Sequence, residues 1–324
     1  MQRRTDKHKK RRYSFSAGLL IGTLLLLILV AVGVFFFKPF DKKITAQVSS
    51  SAASTSHSSS SAPATTTSSS TPKSTWLTSG AQPNQLPTLM FHYVSSKPSD
   101  LVDSNWMPTA TFEADLQALK SAGYTTVTAA EAEKIITTNQ KPSNKMVWLT
   151  FDDGSVTLYR DIFPLLKKYQ MHATGFIITS FVDNGQSGIL NWAQIKEMAA
   201  SGLVDFQSHT VSHIDLGTAS TADATYQLQQ SKQELDSQLN QKTNIICYPA
   251  GGHNDQTLTI AKSLGYQYGL LDPGRYGGVA EAASSSQGLL TLNRFRMAST
   301  TGPAELMADL TAAATFNTQN TQAQ

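Results

Sequence analysis

Cysteine is all but missing: Cys247 is the only one in 324 residues. A single thiol cannot close an internal disulfide, so the folded part must be held together by packing. Cys247 lies inside the apolar run "NIICYP" and reads as a small buried residue. Positive charge is scarce over most of the chain as well. Residues 1–43 hold ten Lys/Arg against Asp6 and Asp41, whereas the remainder holds 16 against 21 acids. The net charge of +3 therefore belongs to a basic head, and the acidic remainder excludes nucleic acid as a partner. No internal repeat is present.

What is present falls into zones. Phe15 to Phe37 is 23 residues without a charge, and at about 1.5 Å per residue that crosses a hydrocarbon core of roughly 30 Å. Seven Lys/Arg precede it and three Lys follow, so the basic side stays in the cytoplasm and the rest lies outside. A cleaved signal peptide would carry a shorter apolar region and small residues at a cleavage site; here "KPFDKK" follows. Between Ser49 and Thr75, 19 of 27 residues are Ser or Thr, a composition that builds a flexible tether rather than a core. His57 within it reads as inert. The expected organisation is a cytoplasmic segment 1–14, a retained membrane anchor 15–37, an extracellular linker 38–85 reaching through a cell wall, and a folded domain 86–324.

In that domain apolar strand-like runs alternate with helix-like segments. "PTLMFHYV", "KMVWLTF", "ATGFIIT", "LVDFQSH", "NIICYP", "YQYGLL" and "LTLNRFRM" read as strands. Between them "TFEADLQALKSAGY" carries Phe112, Leu116 and Leu119 at helical spacing. About seven β/α units predict an α/β fold, a parallel barrel or a doubly wound sheet. In either, reactive side chains gather where strands end at their carboxyl edge. Asp152 and Asp153 follow "VWLTF", His209 follows "VDFQS" and Pro249 follows "IICY".

"SHTVSH" sets His209 and His213 four apart. On a helix starting there both imidazoles would share a face, with Cβ atoms about 5–6 Å apart, and could meet one divalent metal at roughly 2.0–2.1 Å. A catalytic zinc site needs three protein ligands and an open position. Two histidines and one carboxylate of "DDG" supply the ligands. The neighbouring carboxylate is then free to take a proton from water whose pKa the metal lowers.

"TFDDG" (Thr150–Gly154), "SHTVSH" (Ser208–His213) and "YPAGGHN" (Tyr248–Asn254), in this order, resemble the polysaccharide deacetylases of carbohydrate esterase family four. The resemblance spans Pro87 to Met297. It implies a distorted (β/α)7 barrel and metal-dependent removal of N-acetyl groups from amino-sugar polymers. Carried over, Asp152 is the base, and Asp153, His209 and His213 hold the metal. Zinc is expected by ligand type, with cobalt or nickel also accepted. The third motif implies that Tyr248, Pro249 and Ala250 border the substrate, with the Ala250 N–H facing the oxyanion.

Three departures stand out. Many members carry Arg-x-Pro-x-Gly where this chain has Cys247-Tyr248-Pro249-Ala250-Gly251. They end with Leu-x-His, the general acid, where this chain has Leu292-Asn293-Arg294. The fourth, acidic motif is reduced to "LLDPGRYGG". "LMFHYVSS", however, resembles the poly-β-1,6-N-acetylglucosamine deacetylases, whose acid histidine comes from the first strand. His92 is accordingly expected as the acid, Arg294 as the replacement arginine beside Asp152, and Asp272 as an orienter of His92 or a cleft residue. Trp106, Tyr248 and Tyr276 are candidates for stacking on sugars, and His253 for the rim. The expected protein is an extracellular, monomeric hydrolase of exopolysaccharide or peptidoglycan. A glycan-binding module on a degenerate fold, or an O-acetyl esterase, stays open beside it.

Overall fold

The computed structural model describes residues 76–322; the apolar run Phe15–Phe37 and the Ser/Thr-rich stretch lie outside them. Among the described residues no helix is long and apolar enough to cross a membrane. Seven parallel strands carry the fold: β1 (Thr88–Phe91), β2 (Met146–Phe151), β3 (Ala173–Ile177), β4 (Val204–Ser208), β5 (Ile245–Cys247), β6 (Tyr268–Leu270) and β7 (Phe295–Arg296). Their spatial order is β6-β5-β4-β3-β2-β1-β7. The sheet curls until its ends meet, because Leu292, just before β7, makes a parallel bridge to Leu270 of β6. The α/β barrel expectation therefore holds, with a ring tied at its weakest point by one bridge.

Strand β2 shows why these residues choose this architecture. All six residues are buried, as a strand covered on both faces requires. Alternation then divides them. Val147, Leu149 and Phe151 join the larger apolar cluster, with helix α1 (Thr109–Ser121) residues Phe112, Leu116 and Leu119. Met146 and Trp148 join a second cluster with Phe176, Ile245 and Leu270. The Trp148 indole donates to Thr174 Oγ1 at 2.8 Å, satisfying its buried polar atom. Position 152 continues the series 146, 148, 150, so Asp152 leaves the strand on the Trp148 side.

The folded body takes in residues ahead of Leu86. Leu77–Thr78 pairs antiparallel with Gln140–Lys141, and the Lys141 ammonium is buried against the Asn317 carbonyl of the last helix, α8. Helix α2 (Ala129–Thr137), which the sequence reading passes over, starts with a Thr128–Glu131 capping box. Helices α3 (Phe163–Tyr169), α4 (Thr179–Asp183), α5 (Trp192–Ala200), α6 (Thr221–Leu239), α7 (Asp255–Ser263) and α8 (Pro303–Gln322) complete the order.

Candidate active site

The carboxyl ends of β1, β2, β4 and β5 open on one pocket of about 270 Å³, bordered by His92, Asp152, Asp153, His209, His213 and Ala250 among others. Four larger hollows, of about 740, 620, 460 and 410 Å³, lie elsewhere and include none of these residues.

The adjacent aspartates separate because the backbone turns left-handed between them. Asp153 has φ 71° and Gly154 φ 67°, a region that Asp tolerates better than most residues and Gly enters freely. Asp152 stays 4% exposed inside the barrel. There the Arg294 guanidinium grips it bidentately, Nη1 to Oδ1 and Nη2 to Oδ2, both at 2.9 Å. Arg294 is itself fully buried and also donates to the Leu271 carbonyl at 2.8 Å. Burial pushes the Asp152 carboxyl up, but Arg294, by charge and hydrogen bonds, outweighs it and holds the pKa at about 2.

Asp153 points the other way. Its Oδ1 lies 3.4 Å from both His209 Nε2 and His213 Nε2. Its Oδ2 accepts the Tyr93 hydroxyl, a partner the sequence reading does not include. Tyr93 is held by its ring, 4.7 Å from that of Trp106. His209 Nδ1 donates to the Cys247 carbonyl at 2.7 Å, which turns Nε2 toward Asp153.

No helix begins at His209. The segment is a turn with Thr210 at φ 69° and His213 at φ 58°, and the imidazole centroids come within 4.9 Å. Buried Gln227 of α6 staples it, accepting from the amides of Val211 and Ser212 at 3.0 and 2.9 Å. Such a turn brings residues four apart together as a helix would, but its amides need a side-chain acceptor.

Cys247 is buried as expected, yet among polar partners. Its Sγ lies 3.4 Å from Asp152 Oδ2 and 3.1 Å from Arg294 Nη2. Burial pushes the thiol pKa up. His92 borders the pocket from just beyond β1, and burial lowers its pKa against the pull of Asp152 and Asp153. Pro249 is buried beneath the turn, and Ala250 adopts φ 50°. The turn's backbone bonds run from Gly251 and Gly252 to Tyr248 and Pro249 carbonyls, leaving the Ala250 N–H without a backbone acceptor among the described residues.

Other expected site residues fall differently. The Tyr248 ring is fully buried and cannot stack on a sugar. Its hydroxyl fills the space over Gly269, where a Cβ would lie 2.7 Å away. Asp272 borders the pocket but makes no hydrogen bond to His92; its Oδ1 is 3.6 Å from Arg296 Nη1. His253 turns its Nδ1 to the Gly251 carbonyl at 2.8 Å and stacks on Tyr248.

A family profile described as polysaccharide deacetylase matches residues 139–269. The Bacillus subtilis (strain 168) protein YxkH, which carries the same family in its name, is 38% identical over 225 residues, 69% of this chain and 75% of that protein. A Staphylococcus aureus (strain MRSA252) poly-beta-1,6-N-acetyl-D-glucosamine N-deacetylase is 30% identical over 197 residues, 57% of this chain and 67% of that protein. Among solved structures, the Streptococcus pyogenes deacetylase PplD in complex with acetate aligns with a TM-score of 0.65 at 36% identity, over 70% of this chain and 99% of that one. With the fold, the motifs and these similarities in agreement, the chain belongs to the polysaccharide deacetylase family.

Proposed function

We propose that this enzyme removes N-acetyl groups from N-acetylglucosamine-containing polysaccharide, exopolysaccharide or peptidoglycan, with a divalent cation, outside the cell and tethered by the run Phe15–Phe37. One observation carries the reading: two consecutive carboxylates hold unlike surroundings in one pocket, Asp152 against a buried arginine and Asp153 against two imidazoles.

The donor set fits a cation. Ligands on a tetrahedral ion with bonds of about 2.0–2.1 Å stand roughly 3.3 Å apart, and Asp153 Oδ1 is 3.4 Å from each histidine nitrogen. That separation is long for a hydrogen bond between charged partners. The three ligand atoms lie within 4.8 Å of one another. Two nitrogens and one carboxylate suit zinc first, then cobalt or nickel. Such a cation, when bound, lowers the pKa of a water towards about 7 and polarises the acetyl carbonyl.

The chain's own groups supply the rest. Asp152, kept ionised by Arg294, takes the proton of the attacking water. The oxygen adds to the carbonyl carbon, and the Ala250 N–H receives the developing oxyanion. His92, in its imidazolium form, gives a proton to the departing nitrogen as the carbon–nitrogen bond breaks. Acetate and a glucosamine unit result. Support for the substrate class comes from the Staphylococcus aureus relative named for poly-β-1,6-N-acetyl-D-glucosamine.

The test is acetate release by the purified chain from poly-β-1,6-N-acetylglucosamine and from peptidoglycan. Release should require a divalent cation, stop with chelator, and be lost in Asp152→Asn while the variant still binds metal. Substantial turnover by Asp152→Asn would overturn the base assignment.

A further inference from the structure

Beside its three carboxylates, Asp152, Asp153 and Asp272, the pocket is bordered by two guanidinium groups to which this reaction gives no task, Arg275 and Arg296. The last strand and its flanks read "NRFRM", and alternate strand residues share a face. Arg294 therefore sinks into the barrel under Asp152, while Arg296 emerges two residues later at the pocket. Arg296 Nη2 donates to Asn105 Oδ1. Its Nη1 stands 3.6 Å from Asp272 Oδ1, an oxygen that is buried without a hydrogen-bond partner.

Arg275 borders the same pocket from the loop after β6. Among the described residues its side chain makes no ion pair or hydrogen bond. The loop is braced nonetheless. The Gly274 amide donates to the Gly278 carbonyl and the Gly278 amide to the Arg275 carbonyl, both at 2.8 Å. Tyr276, next in sequence, is pinned by its hydroxyl to the Asp215 carboxylate. A side chain normally free to roam is thus fixed at its root beside the site. Two guanidinium groups, from two separate elements, converge on one pocket with one incompletely paired and the other unpaired.

Guanidinium forks match carboxylate and phosphate oxygens in pairs, whereas a neutral acetamido sugar offers them only hydroxyls and carbonyls. We propose that Arg275 and Arg296 bind an anionic substituent, phosphate or carboxylate, carried on the glycan close to the N-acetyl group that is removed. This rests on the deacetylase reading, and makes the preferred substrate an acidic glycan rather than a neutral homopolymer.

The test is calorimetric titration of the full chain with three N-acetylglucosamine oligosaccharides of equal length. One is neutral, one carries an ether-linked carboxylate, and one carries a phosphate monoester. Chelator is present throughout, so binding is read without turnover, and acetate release with metal is measured separately. The expected result is that one charged arm binds about tenfold more tightly than the neutral arm, with the arm identifying the anion, and that the preference shrinks at high salt. Arg275→Gln and Arg296→Gln should each reduce that ratio, and Arg275→Lys should retain part of it. Equal binding of all three arms overturns the proposal, as does a preference that survives in the double glutamine variant. Acetate release from the neutral arm together with equal binding would sink this inference alone. Anion preference without acetate release from any arm would leave the anion site standing and sink the deacetylase reading instead.

Discussion

Replacing Arg294 by leucine sets two quantities against each other. In the folded protein the Asp152 pKa is about 2, against an ordinary 3.8. A folded pKa held below the unfolded one contributes stability that is full above about pH 4 and is lost as pH falls towards 2; from this shift it is worth about 2 kcal/mol. Removing one partner of a buried pair costs more than that contribution, about 3–5 kcal/mol, because the remaining charge is left buried and uncompensated. Arg294→Leu should therefore be destabilised by several kcal/mol at pH 8. The sign of its pH response should also change. With Arg294 gone, burial is left as the largest influence on Asp152, its carboxyl titrates above the ordinary range, and the variant becomes more stable as pH is lowered from 8 to 5. The assay is urea denaturation at both pH values, with the slope checked for constancy. Adding Asp152→Asn to Arg294→Leu removes the orphan charge and should restore much of the loss. The cycle separates this term from the lost bonds to Leu271 and Thr150. A loss below about 1 kcal/mol, typical of an exposed pair, or a double variant no more stable than the single, would refute the reasoning.

Two further outcomes follow from neighbouring groups. Tyr93→Phe keeps the ring against Trp106 but strips Asp153 Oδ2 of its donor; metal affinity by competition titration should fall about 10- to 100-fold, and unchanged affinity would count against Tyr93 as the group that aims the carboxylate. Asp115 is buried in α1 with neither oxygen hydrogen-bonded among the described residues, and burial pushes its pKa up to about 7. Between about pH 4 and 7 the folded state keeps a proton that the unfolded state has lost, so stability falls as pH rises through that window. The melting temperature should drop over the same range and flatten in Asp115→Asn; an equally steep variant would be the contrary result.

Much of this was legible because barrel strands are buried on both faces and leave apolar runs that stand out. Asp152, Asp153 and His209 were visible because each follows such a run, and His213 because it stands four residues after His209. Tyr93 was hidden by the break at His92: β1 stops at Phe91, and Tyr93–Ser95 opens a separate ribbon with Trp106–Pro108, so alternation from β1 no longer tells where its hydroxyl points. Gln227 sits in the long polar helix α6, where nothing in the spacing marks one glutamine as the staple of a turn in another segment. Asp115 could have been found, since it lies three residues after Phe112 and four before Leu119 on the apolar stripe. The Tyr248 ring was misplaced because sequence gives the strand end but not the depth of the side chain, which the absence of a Cβ at Gly269 permits.

The departures from the motifs that the resemblance implies meet at one carboxylate, Asp152. Position 247 aims its side chain at Asp152 from β5, and position 294 reaches the same carboxylate from just before β7. Arginines at both would put two cations on one buried acid, so a small residue at 247 and the guanidinium at 294 belong together. Position 294 is also where the Leu-x-His pattern that the resemblance implies would put the acid, and here it holds an arginine. The nearest other source is the adjoining strand: β1 pairs with β7, Met90 opposite Arg296, and neighbouring strands stand about 4.8 Å apart. His92, just beyond β1, enters the pocket from that side. On the proposed mechanism, what is constrained is where a cation, a base and a proton donor stand around one carbonyl, not which strand delivers each, and a ring of parallel strands lets a neighbour take over a delivery without moving the site.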